Sequence, residues 1–491
     1  MSGTRQATVS DALNEAPLSA FHTKALFTSG MGFFTDAYDL FIIGTVTTLL
    51  ATQWHLTTSQ TGLINSTTLI AAFVGAFVFG RLADVLGRKR IYGLLATIMT
   101  VGALASAFAP SFMWLVIFRF VLGIGIGGDY PVSAVIMSEY SNRQNRGRLV
   151  GLVFAMQAVG LVVGPIVGIT LLGAGVNHDL AWRLMLGLGA IPSAAVIYMR
   201  MRMPESPRYL ERVRGQSERA VAAISSFSDG TVTASEAPSK VQRHMGVLSF
   251  LTTPRYLLYL VGTAGSWFLF DYAYYGNSVS APLIVKGVLG SGKHPIIQVL
   301  SIDLIIFAVA AVPAYYLGAF FMDRIGHKRL QFIGFAGLVG VFLLIGAIPG
   351  VTKDIAPFMV LFGLSYFFAN FGPNQTTFVL SGEVYPVSQR TTGHGISAGI
   401  AKVGAFIGVY LFPVLDKSLG LSGIMLLVAG FSALGFLCTF LVPEPAGRNL
   451  EEVSGDTDLE LEVVRRAEEI VSAGSQDSPG DVPAPVAEKV S

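Results

Sequence analysis

The sequence GRLADVLGRKR at residues 80–90 returns in altered form as GAFFMDRIGHKR at residues 318–329. Each copy carries an Asp, then a Gly and then a basic cluster, and each follows a long apolar stretch. Asp84 and Asp323 are 239 residues apart. Similarity at a long, fixed offset indicates that the chain contains two copies of one structural unit.

Two further motif pairs repeat at nearly the same offset. Glu139 precedes Arg146 by seven residues, and Glu383 precedes Arg390 by the same distance, 244 residues later. The dipeptides Pro204-Glu205 and Pro443-Glu444 are 239 residues apart. The three pairs together predict a duplicated six-helix unit, in which acids and basic residues at helix ends hold neighbouring helices together.

Outside these motifs the chain is short of charge. Of its 491 residues, 52% are hydrophobic and only 13% are Asp, Glu, Lys or Arg, with a mean hydropathy of +0.60. A soluble domain carries about 25% charged residues, so the composition excludes an ordinary soluble enzyme and a disordered chain. The net charge of +2 gives no reason to expect a nucleic-acid partner, and the single cysteine, Cys438, excludes an intrachain disulfide.

Twelve apolar stretches are long enough to cross a bilayer, which requires about 20 residues. The sequence therefore predicts an all-α integral membrane protein with twelve transmembrane helices in two six-helix repeats. The stretches cover residues 25–50, 61–86, 91–109, 112–138, 149–173, 182–203, 257–285, 299–322, 330–349, 356–382, 391–415 and 420–442.

The basic residues of the short loops predict the orientation of the chain. Ten Lys and Arg residues fall in one set of loops (88–90, 143–148, 324–329 and Arg390), against Lys286, Lys293, Lys353 and Lys417 in the other. The first set is expected in the cytosol, together with both termini, in a plasma membrane.

The same boundaries divide the chain into five regions. We expect a cytoplasmic N-terminal segment at 1–24, six-helix bundles at 25–203 and 256–443, a cytoplasmic linker at 204–255 and a cytoplasmic tail at 444–491. The tail begins with a charged stretch, 459–470, of helical character and ends in a composition typical of disorder, and residues 1–20 resemble it. The N-terminus lacks the pattern of a signal peptide.

Burying an ionisable side chain inside a span costs free energy, so such residues indicate function. Six lie well inside the predicted spans: Asp36, Asp39, Arg119, Asp129, Asp271 and Lys402. Counted from the basic loops at about 1.5 Å per residue, Asp129, Gln157, Asn374 and Lys402 lie about 14–18 Å deep, near the midplane. Polar groups from both repeats thus converge on one level, where a site between two repeats belongs.

Within this set we expect Asp271 and Lys402 to face each other across a cavity. The alternative is a buried ion pair that only fixes the packing of the helices. Trp267, Asp271 and Tyr275 are four residues apart and share one helix face. Arg119 is about 15 Å along the helix from Asp129 and therefore needs another partner.

Asp36 and Asp39 are neighbours on one helix. One of the two is expected to hold a proton because two adjacent carboxylates repel each other. The alternative is an acid that lines the entrance.

Four stretches of the sequence narrow the interpretation further. The arrangement of the loop motif at 80–90 resembles that of the major facilitator superfamily. Gly127-Gly128-Asp129-Tyr130-Pro131, with Ser138-Glu139, resembles the signature of its phosphate:proton symporter family. The residues WFLFDYAYY at 267–275 and GPNQTTF at 372–378 are similar to spans seven and ten of that family.

This resemblance implies the roles of individual residues. The residues implied in phosphate binding are Tyr130, Gln157, Trp267, Asp271, Tyr275 and Asn374, with Lys402 beside them. The residues implied in the proton route are Asp36, Asp39, Asp129 and Arg119, with Asp271 shared between the two. The residues expected at the gates on the cytoplasmic side are Asp84, Arg88, Glu139, Arg146, Asp323, Glu383 and Arg390.

The sequence thus predicts a secondary transporter that imports inorganic phosphate with protons by alternating access. We expect the acids Asp271 and Asp129 to select protonated phosphate over sulfate, and uptake to carry net positive charge inward. No cofactor or metal site is expected, and one chain in the lipid bilayer suffices for the site. The alternatives are a proton-coupled porter for an organic anion or sugar and a phosphate-sensing receptor. An enzyme is not expected, because no catalytic constellation is present.

Overall fold

The computed structural model describes residues 8–227, 246–289 and 296–456. Secondary structure within these ranges is helical. Ten helical segments of the described chain are long and apolar enough to cross a membrane, so the protein is a multi-pass integral membrane protein.

The spans are numbered in chain order. Spans 1 to 6 are Ala20–Gln53, Thr58–Leu86, Arg88–Ala107, Phe112–Tyr140, Arg146–Gly173 and His178–Arg202. Spans 7 to 10 are Pro254–Val279, Ile296–Ile325, His327–Ala347 and Ile355–Glu383, and Arg390–Thr439 contains spans 11 and 12.

Two features reconcile these segments with twelve spans. Arg390–Thr439 has 50 residues and would be about 75 Å long as one straight helix, more than twice the thickness of the hydrocarbon core. It is interrupted at Gly420, whose φ of 64° and ψ of 173° are not helical. The second feature is span 7, which carries many polar side chains and is correspondingly less apolar. The predicted end of span 7 at residue 285 is wrong, because the helix ends at Val279 and Ala281–Leu289 forms a separate helix.

Span 10 is broken where it passes span 9. The helix Ile355–Phe371 ends at Gly372, and Pro373 begins the helix Pro373–Glu383. A Cβ on Gly372 would lie 2.7 Å from the Cα of Gly334, so the absence of side chains here allows the two spans to touch. The break brings Asn374 to the start of a new helix within the membrane, facing the other spans.

Short helices lie outside the spans: Val9–Glu15, Pro207–Arg212, Ser217–Phe227, Val247–Thr252 and Leu450–Ser454. The expectation that residues 1–20 resemble a disordered tail is wrong for Val9–Glu15. Thr8 caps this helix by accepting a hydrogen bond from the backbone of Asp11, and Val9 and Leu13 are fully buried. The predicted charged helix at 459–470 and the remainder of the tail lie outside the described residues.

Three of these short helices meet beneath the spans. Arg208, in Pro207–Arg212, donates to Asn14 Oδ1 of the first helix at 2.8 Å and forms an ion pair with Glu451 of the last helix at 3.0 Å. Burial alone would raise the pKa of Glu451, but Arg208, with help from Arg212 and Arg390, holds it below its usual value. The ends of the described chain are thereby attached to the linker by buried charge.

We call the end of the bundle that carries the basic loops the basic end, and the opposite side the far end. At the basic end, ion pairs join the two halves. Arg390 of the second half lies 3.3 Å from Glu139 of the first, and Arg146 of the first lies 3.1 Å from Glu383 of the second. All four side chains are at most 1% exposed, so the two halves share two buried ion pairs.

The repeated Asp residues cap helices of the opposite half. Asp84 accepts hydrogen bonds from the backbone N–H groups of Thr391 and Thr392, at the start of span 11. Asp323 accepts from Gly147 and Arg148, at the start of span 5. A carboxylate at a helix N-terminus satisfies free N–H groups and opposes the helix dipole. Each half therefore holds the other by an equivalent contact.

The third repeated pair caps helices of its own half. Glu205 accepts from the N–H groups of Arg88 and Lys89, and Glu444 accepts from those of His327 and Lys328. The residues before these helices, Gly87 and Gly326, have φ values of 104° and 102°, which favour glycine. This explains the glycine in both copies of the motif.

Weakening one of these contacts should open the basic end. We expect Asp84→Asn to weaken the cap on span 11 by about 1.4 kcal/mol, corresponding to roughly tenfold more of the open form. A cysteine at position 76, in a chain that also carries Cys438→Ser, reports the opening, because Ala76 is fully buried against Gly395 of the other half. Its rate of maleimide labelling should rise about tenfold by the same arithmetic.

The control is Asp179→Asn, which removes an exposed acid at the far end. It should leave labelling of position 76 unchanged. Equal labelling in Asp84→Asn and the parent would contradict a closing role for Asp84.

Candidate functional site

A buried polar cluster lies where the two halves meet near the middle of the spans. In span 7, Trp267, Asp271 and Tyr275 share one face. Lys402 of span 11 lies 3.1 Å from Asp271 Oδ2 and donates to the Tyr275 hydroxyl at 3.1 Å. Its ammonium also lies 4.6 Å from the ring centre of Tyr130 in the first half. Asp271 and Lys402 thus face each other, as expected, and both are at most 2% exposed.

The first half contributes a carboxylate with two hydrogen-bond donors. Asp36 Oδ2 accepts a hydrogen bond from the Tyr130 hydroxyl at 2.5 Å and one from Gln157 Nε2 at 2.9 Å. Asp36 Oδ1 is buried and has no hydrogen-bond partner among the described residues. One free carboxylate oxygen therefore remains in the cluster.

A chain of hydrogen bonds continues across the boundary between the halves. The Tyr315 hydroxyl donates to Gln157 Oε1 at 2.9 Å and accepts from Asn374 Nδ2 at 2.7 Å. Asn374 also donates to Asn370 Oδ1 at 2.7 Å. The residues predicted to bind substrate therefore lie in one connected cluster, to which spans 1, 4, 5, 7, 8, 10 and 11 all contribute.

The sequence analysis missed Tyr315 and Asn370. Tyr315 precedes Asp323 by eight residues, which places it about 12 Å from the basic end, close to the depth used to select the other polar residues. The depth count took only some of the neutral polar residues, and applying it to every Tyr and Asn of the spans would have included both residues.

An aromatic wall closes the cluster toward the basic end. The rings of Phe33, Phe154 and Phe378 lie within 5.3 Å of one another, and Tyr130 lies 6.0 Å from Trp267. These side chains exclude water, which strengthens the electrostatic interactions inside.

Asp39 differs from Asp36 in its hydrogen-bond partner. Arg119 donates from both Nη atoms to the two oxygens of Asp39, at 3.0 Å each. This is the partner that the sequence required for Arg119 but did not identify. Asp36, by contrast, has neutral donors and faces the cluster of Lys402, so the two acids have different environments.

Asp129 has an ion-pair partner that the sequence did not indicate. It forms a bidentate ion pair with Arg200 of span 6, at 2.5 and 3.1 Å, and Arg200 also donates to the carbonyl of Thr28. A Cβ on Gly32 would lie 1.8 Å from Asp129 Oδ2. The Asp129 carboxylate is therefore bound to Arg200 rather than to Lys402, and its expected roles in the proton route and in selecting the anion stay predictions.

Arg200 was overlooked because it lies three residues from the end of its predicted span. The Arg200 side chain turns inward from this position, and its buried guanidinium binds Asp129 and the carbonyl of Thr28. The pairing explains how a carboxylate near mid-depth is neutralised.

The electrostatics of the central cluster are simple. It contains one ammonium, Lys402, and two carboxylates, Asp36 and Asp271, surrounded by hydroxyl and amide donors. No group of three His, Cys, Asp or Glu side chains suited to a metal ion occurs within residues 8–227, 246–289 and 296–456. The arrangement suits a small, polar ligand that both donates and accepts hydrogen bonds.

Comparison with known proteins agrees with this architecture. The family described as "Sugar (and other) transporter" matches residues 24–456. The chain belongs to this family. This family is one of the transporter families of the major facilitator superfamily. The family resemblance and the twelve-helix fold predicted from the sequence are therefore confirmed.

Curated relatives cover nearly the whole chain. A probable inorganic phosphate transporter 1-6 of Arabidopsis thaliana is 36% identical, with 94% of this chain and 98% of the relative covered. A low affinity inorganic phosphate transporter 4 of Medicago truncatula is also 36% identical, at 96% and 98% coverage. A solved structure of the proton:xylose symporter XylE shares the fold, with a TM-score of 0.76 and 21% identity over 89% of this chain and 99% of that one.

The Asp129–Arg200 pair should be tested as a unit. Asp129→Asn leaves Arg200 charged and unpaired in the interior, where loss of one partner costs about 3–5 kcal/mol. We expect the melting temperature of the purified protein to fall strongly. Asp129→Asn combined with Arg200→Met removes both charges and should recover part of that loss.

A double variant that is no more stable than Asp129→Asn alone would contradict the pairing. Arg183→Met serves as the control, since it removes a partly exposed arginine of the same span and should change the melting temperature little.

Proposed function

We propose that this protein imports inorganic phosphate together with protons, at the central cluster between its two halves. The observation that carries this proposal is the buried Lys402, which is held against Asp271 and Tyr275 and lies over Tyr130 of the opposite half. The names of the relatives, inorganic phosphate transporters at 36% identity over nearly the full chain, support phosphate as the substrate.

The chemistry of phosphate fits this cluster. Its second pKa is near neutrality, about 6 in phosphoesters, so the monovalent anion carries protons to donate. Lys402 would attract the anion, while the donors Tyr130, Gln157 and Asn374 would bind its oxygens. Asp271 would accept a hydrogen bond from a phosphate hydroxyl. Sulfate has no such hydroxyl and would meet repulsion from the carboxylate.

Proton coupling rests on the two central acids. Without substrate, the positive charge of Lys402 offsets one of the carboxylates Asp36 and Asp271. An anion in the same space leaves both acids close to further negative charge, which favours protonation of at least one. Phosphate and proton would thus bind together and cross together. Among the proton residues suggested by resemblance, Asp39 with Arg119 and Asp129 with Arg200 would act from beside the site.

Alternating access is supported by the contacts on both sides of the cluster. At the basic end the halves share buried ion pairs, which can break and re-form as discrete contacts. On the far side the contacts are apolar, for example between the rings of Phe41 and Phe307 at 5.4 Å. When the halves rock about the central cluster, the contacts at one end would break while those at the other end form. The gate residues predicted from the sequence would act in this way, with the basic end in the cytosol of a plasma membrane.

Uptake into proteoliposomes tests the proposal directly. Entry of radiolabelled phosphate should be several-fold faster with an acidic exterior than without a pH gradient. An inside-negative potential should also accelerate it if two or more protons accompany each monovalent phosphate, because each charge gains about 2.3 kcal/mol per 100 mV. Excess xylose and citrate should not compete.

Competition by either compound would favour the sugar or organic-anion porter instead. Phosphate binding without uptake would favour a receptor. An uptake rate that does not depend on the pH gradient would contradict proton coupling.

Asp271→Asn should alter selectivity as well as rate. The amide cannot accept the proton of a phosphate hydroxyl as a carboxylate does, but it no longer repels sulfate. We expect excess sulfate to compete with phosphate for binding to this variant, and phosphate exchange across the membrane to lose its pH dependence. Binding of labelled phosphate by the purified variant, with and without sulfate, measures the first effect.

Asp416→Asn, an exposed acid of the same half, is the matched control and should exclude sulfate as the parent does. If Asp271→Asn excludes sulfate equally well, then Asp271 does not select the anion.

A further inference from the structure

Span 8 contains a buried carboxyl that the central cluster does not use. Asp303 is 3% exposed, and its Oδ1 is fully buried with no hydrogen-bond partner in the part of the chain that the structure describes. No ion pair or hydrogen bond joins it to any residue of the described ranges. It lies seven residues into the span from the far end, about 10 Å deep, whereas the basic-end residue Asp323 lies about 30 Å farther along.

The elements that pack against Asp303's helix, Ile296–Ile306, provide no opposite charge within the described chain. The facing segments of span 5, Gln157–Gly173, and span 10, Ile355–Phe371, contain no Asp, Glu, Lys, Arg or His. Lys286 in the helix Ala281–Leu289 is exposed to the exterior. Tyr366 of span 10 approaches this part of span 8, because its ring centre lies 5.3 Å from that of Phe307, one turn from Asp303.

An isolated carboxylate in such surroundings is unstable as an anion. Transfer of an unpaired charge into an apolar environment costs so much free energy that the group takes up a proton instead. Asp39, Asp129 and Asp271 avoid this through Arg119, Arg200 and Lys402, which are 2.5–3.1 Å away. Asp303 has no equivalent among the described residues, so it holds a proton in this structure.

The backbone beside Asp303 is suited to movement. The residues Phe307–Ala311, one turn farther along, form a π-helical turn inside span 8, a feature that is frequent at functional sites. The helix Ile296–Ile306 also packs across the boundary between the halves. A Cβ on Gly168 of span 5 would lie 3.3 Å from the Leu300 side chain. Separation of the halves at the far end would therefore expose this part of span 8 to water.

A small cavity with several polar side chains lies between Tyr366 and the neighbourhood of the central cluster. Tyr366 borders a small cavity with Tyr274, Asn277, Ser278 and Ser365. The hydroxyls of Tyr366, Tyr274 and Ser278 and both amide atoms of Asn277 are buried and have no hydrogen-bond partner among the described residues. Buried polar groups of this kind are ordinarily satisfied by water. Tyr274 adjoins Tyr275, at 5.5 Å between ring centres, and thus reaches the Lys402 cluster.

We propose that Asp303 is a further proton-binding site of the transporter, loaded from the far end and connected to the central cluster through the Tyr366–Ser278–Tyr274 cavity. When the far end opens, the Asp303 carboxylate accepts a proton from water and becomes a neutral carboxyl. Closure buries it in that form. The proton leaves to water after the halves rock, and the carboxylate is regenerated. This inference extends the proposed proton-coupled import of phosphate and rests on it.

The experiment compares Asp303→Asn, a neutral isostere, with the parent in proteoliposomes. Phosphate-driven proton entry, read from a trapped pH dye, is divided by radiolabelled phosphate entry. We expect the ratio to fall by one proton per phosphate in Asp303→Asn, while exchange of phosphate across the membrane persists. Asp416→Asn, the exposed acid at the far end of span 11, should keep the parent ratio. An unchanged ratio in Asp303→Asn overturns the proposal.

Two measurements on purified protein keep this test independent of transport. The parent-minus-variant infrared difference spectrum at neutral pH should contain the C=O band of a protonated carboxyl, shifted in D2O, and absence of that band overturns the proposal. The melting temperature of Asp303→Asn should match the parent because both side chains are neutral. Severe destabilisation would indicate a charged, paired Asp303 and contradict the inference.

Failure of the proposed function has a different signature. If the parent itself moves no protons with phosphate, then proton-coupled import is wrong, whatever Asp303→Asn does.

Discussion

An ionised side chain inside the membrane costs much free energy unless an opposite charge lies against it, and three such pairs govern the arrangement of the spans. Arg119 binds Asp39, Arg200 binds Asp129, and Lys402 binds Asp271. Each pair connects two different spans: 1 with 4, 4 with 6, and 7 with 11. Because loss of one partner leaves an unpaired buried charge, each pair fixes the relative position of its helices. Two of the pairs belong to the first half alone, and the third lies at the boundary where Tyr130 of the opposite half covers Lys402.

This division separates structural charges from those available to a ligand. Both oxygens of Asp39 and of Asp129 are occupied by a guanidinium fork, a geometry that is strong and specific. Lys402 and Asp271 meet through a single contact, and Asp271 Oδ1 has no hydrogen-bond partner in the described chain. A looser pair with a free oxygen can admit a third group. The central cluster is therefore the place where a small anion can enter without dismantling the helix bundle.

At the basic end, buried carboxylates are stabilised by the N–H groups of helix N-termini. Asp84 and Asp323 each cap a helix of the opposite half, while Glu205 and Glu444 cap helices of their own half. The first pair of contacts must break when the halves separate, whereas the second can persist. The duplicated motif thus contains both a movable contact and a fixed one, and their equivalence in the two halves suits a motion in which the halves rock as units.

The sequence by itself determined the number of spans, the duplication and the polar residues of mid-depth, because hydropathy, repeat spacing and rise per residue are properties of the chain alone. It also indicated that Asp271 and Lys402 belong together. Only the tertiary structure decided which acid meets which base. Arg200 reaches Asp129 from a span end, Arg119 selects Asp39 over Asp36, and Tyr315 joins Gln157 to Asn374. Depth along a helix is readable from residue number, but rotation about the helix axis and the reach of long side chains depend on how the spans pack. These decide whether a carboxylate is bound to a neighbour, faces the central cluster or, like Asp303, is buried without an ion-pair partner among the described residues.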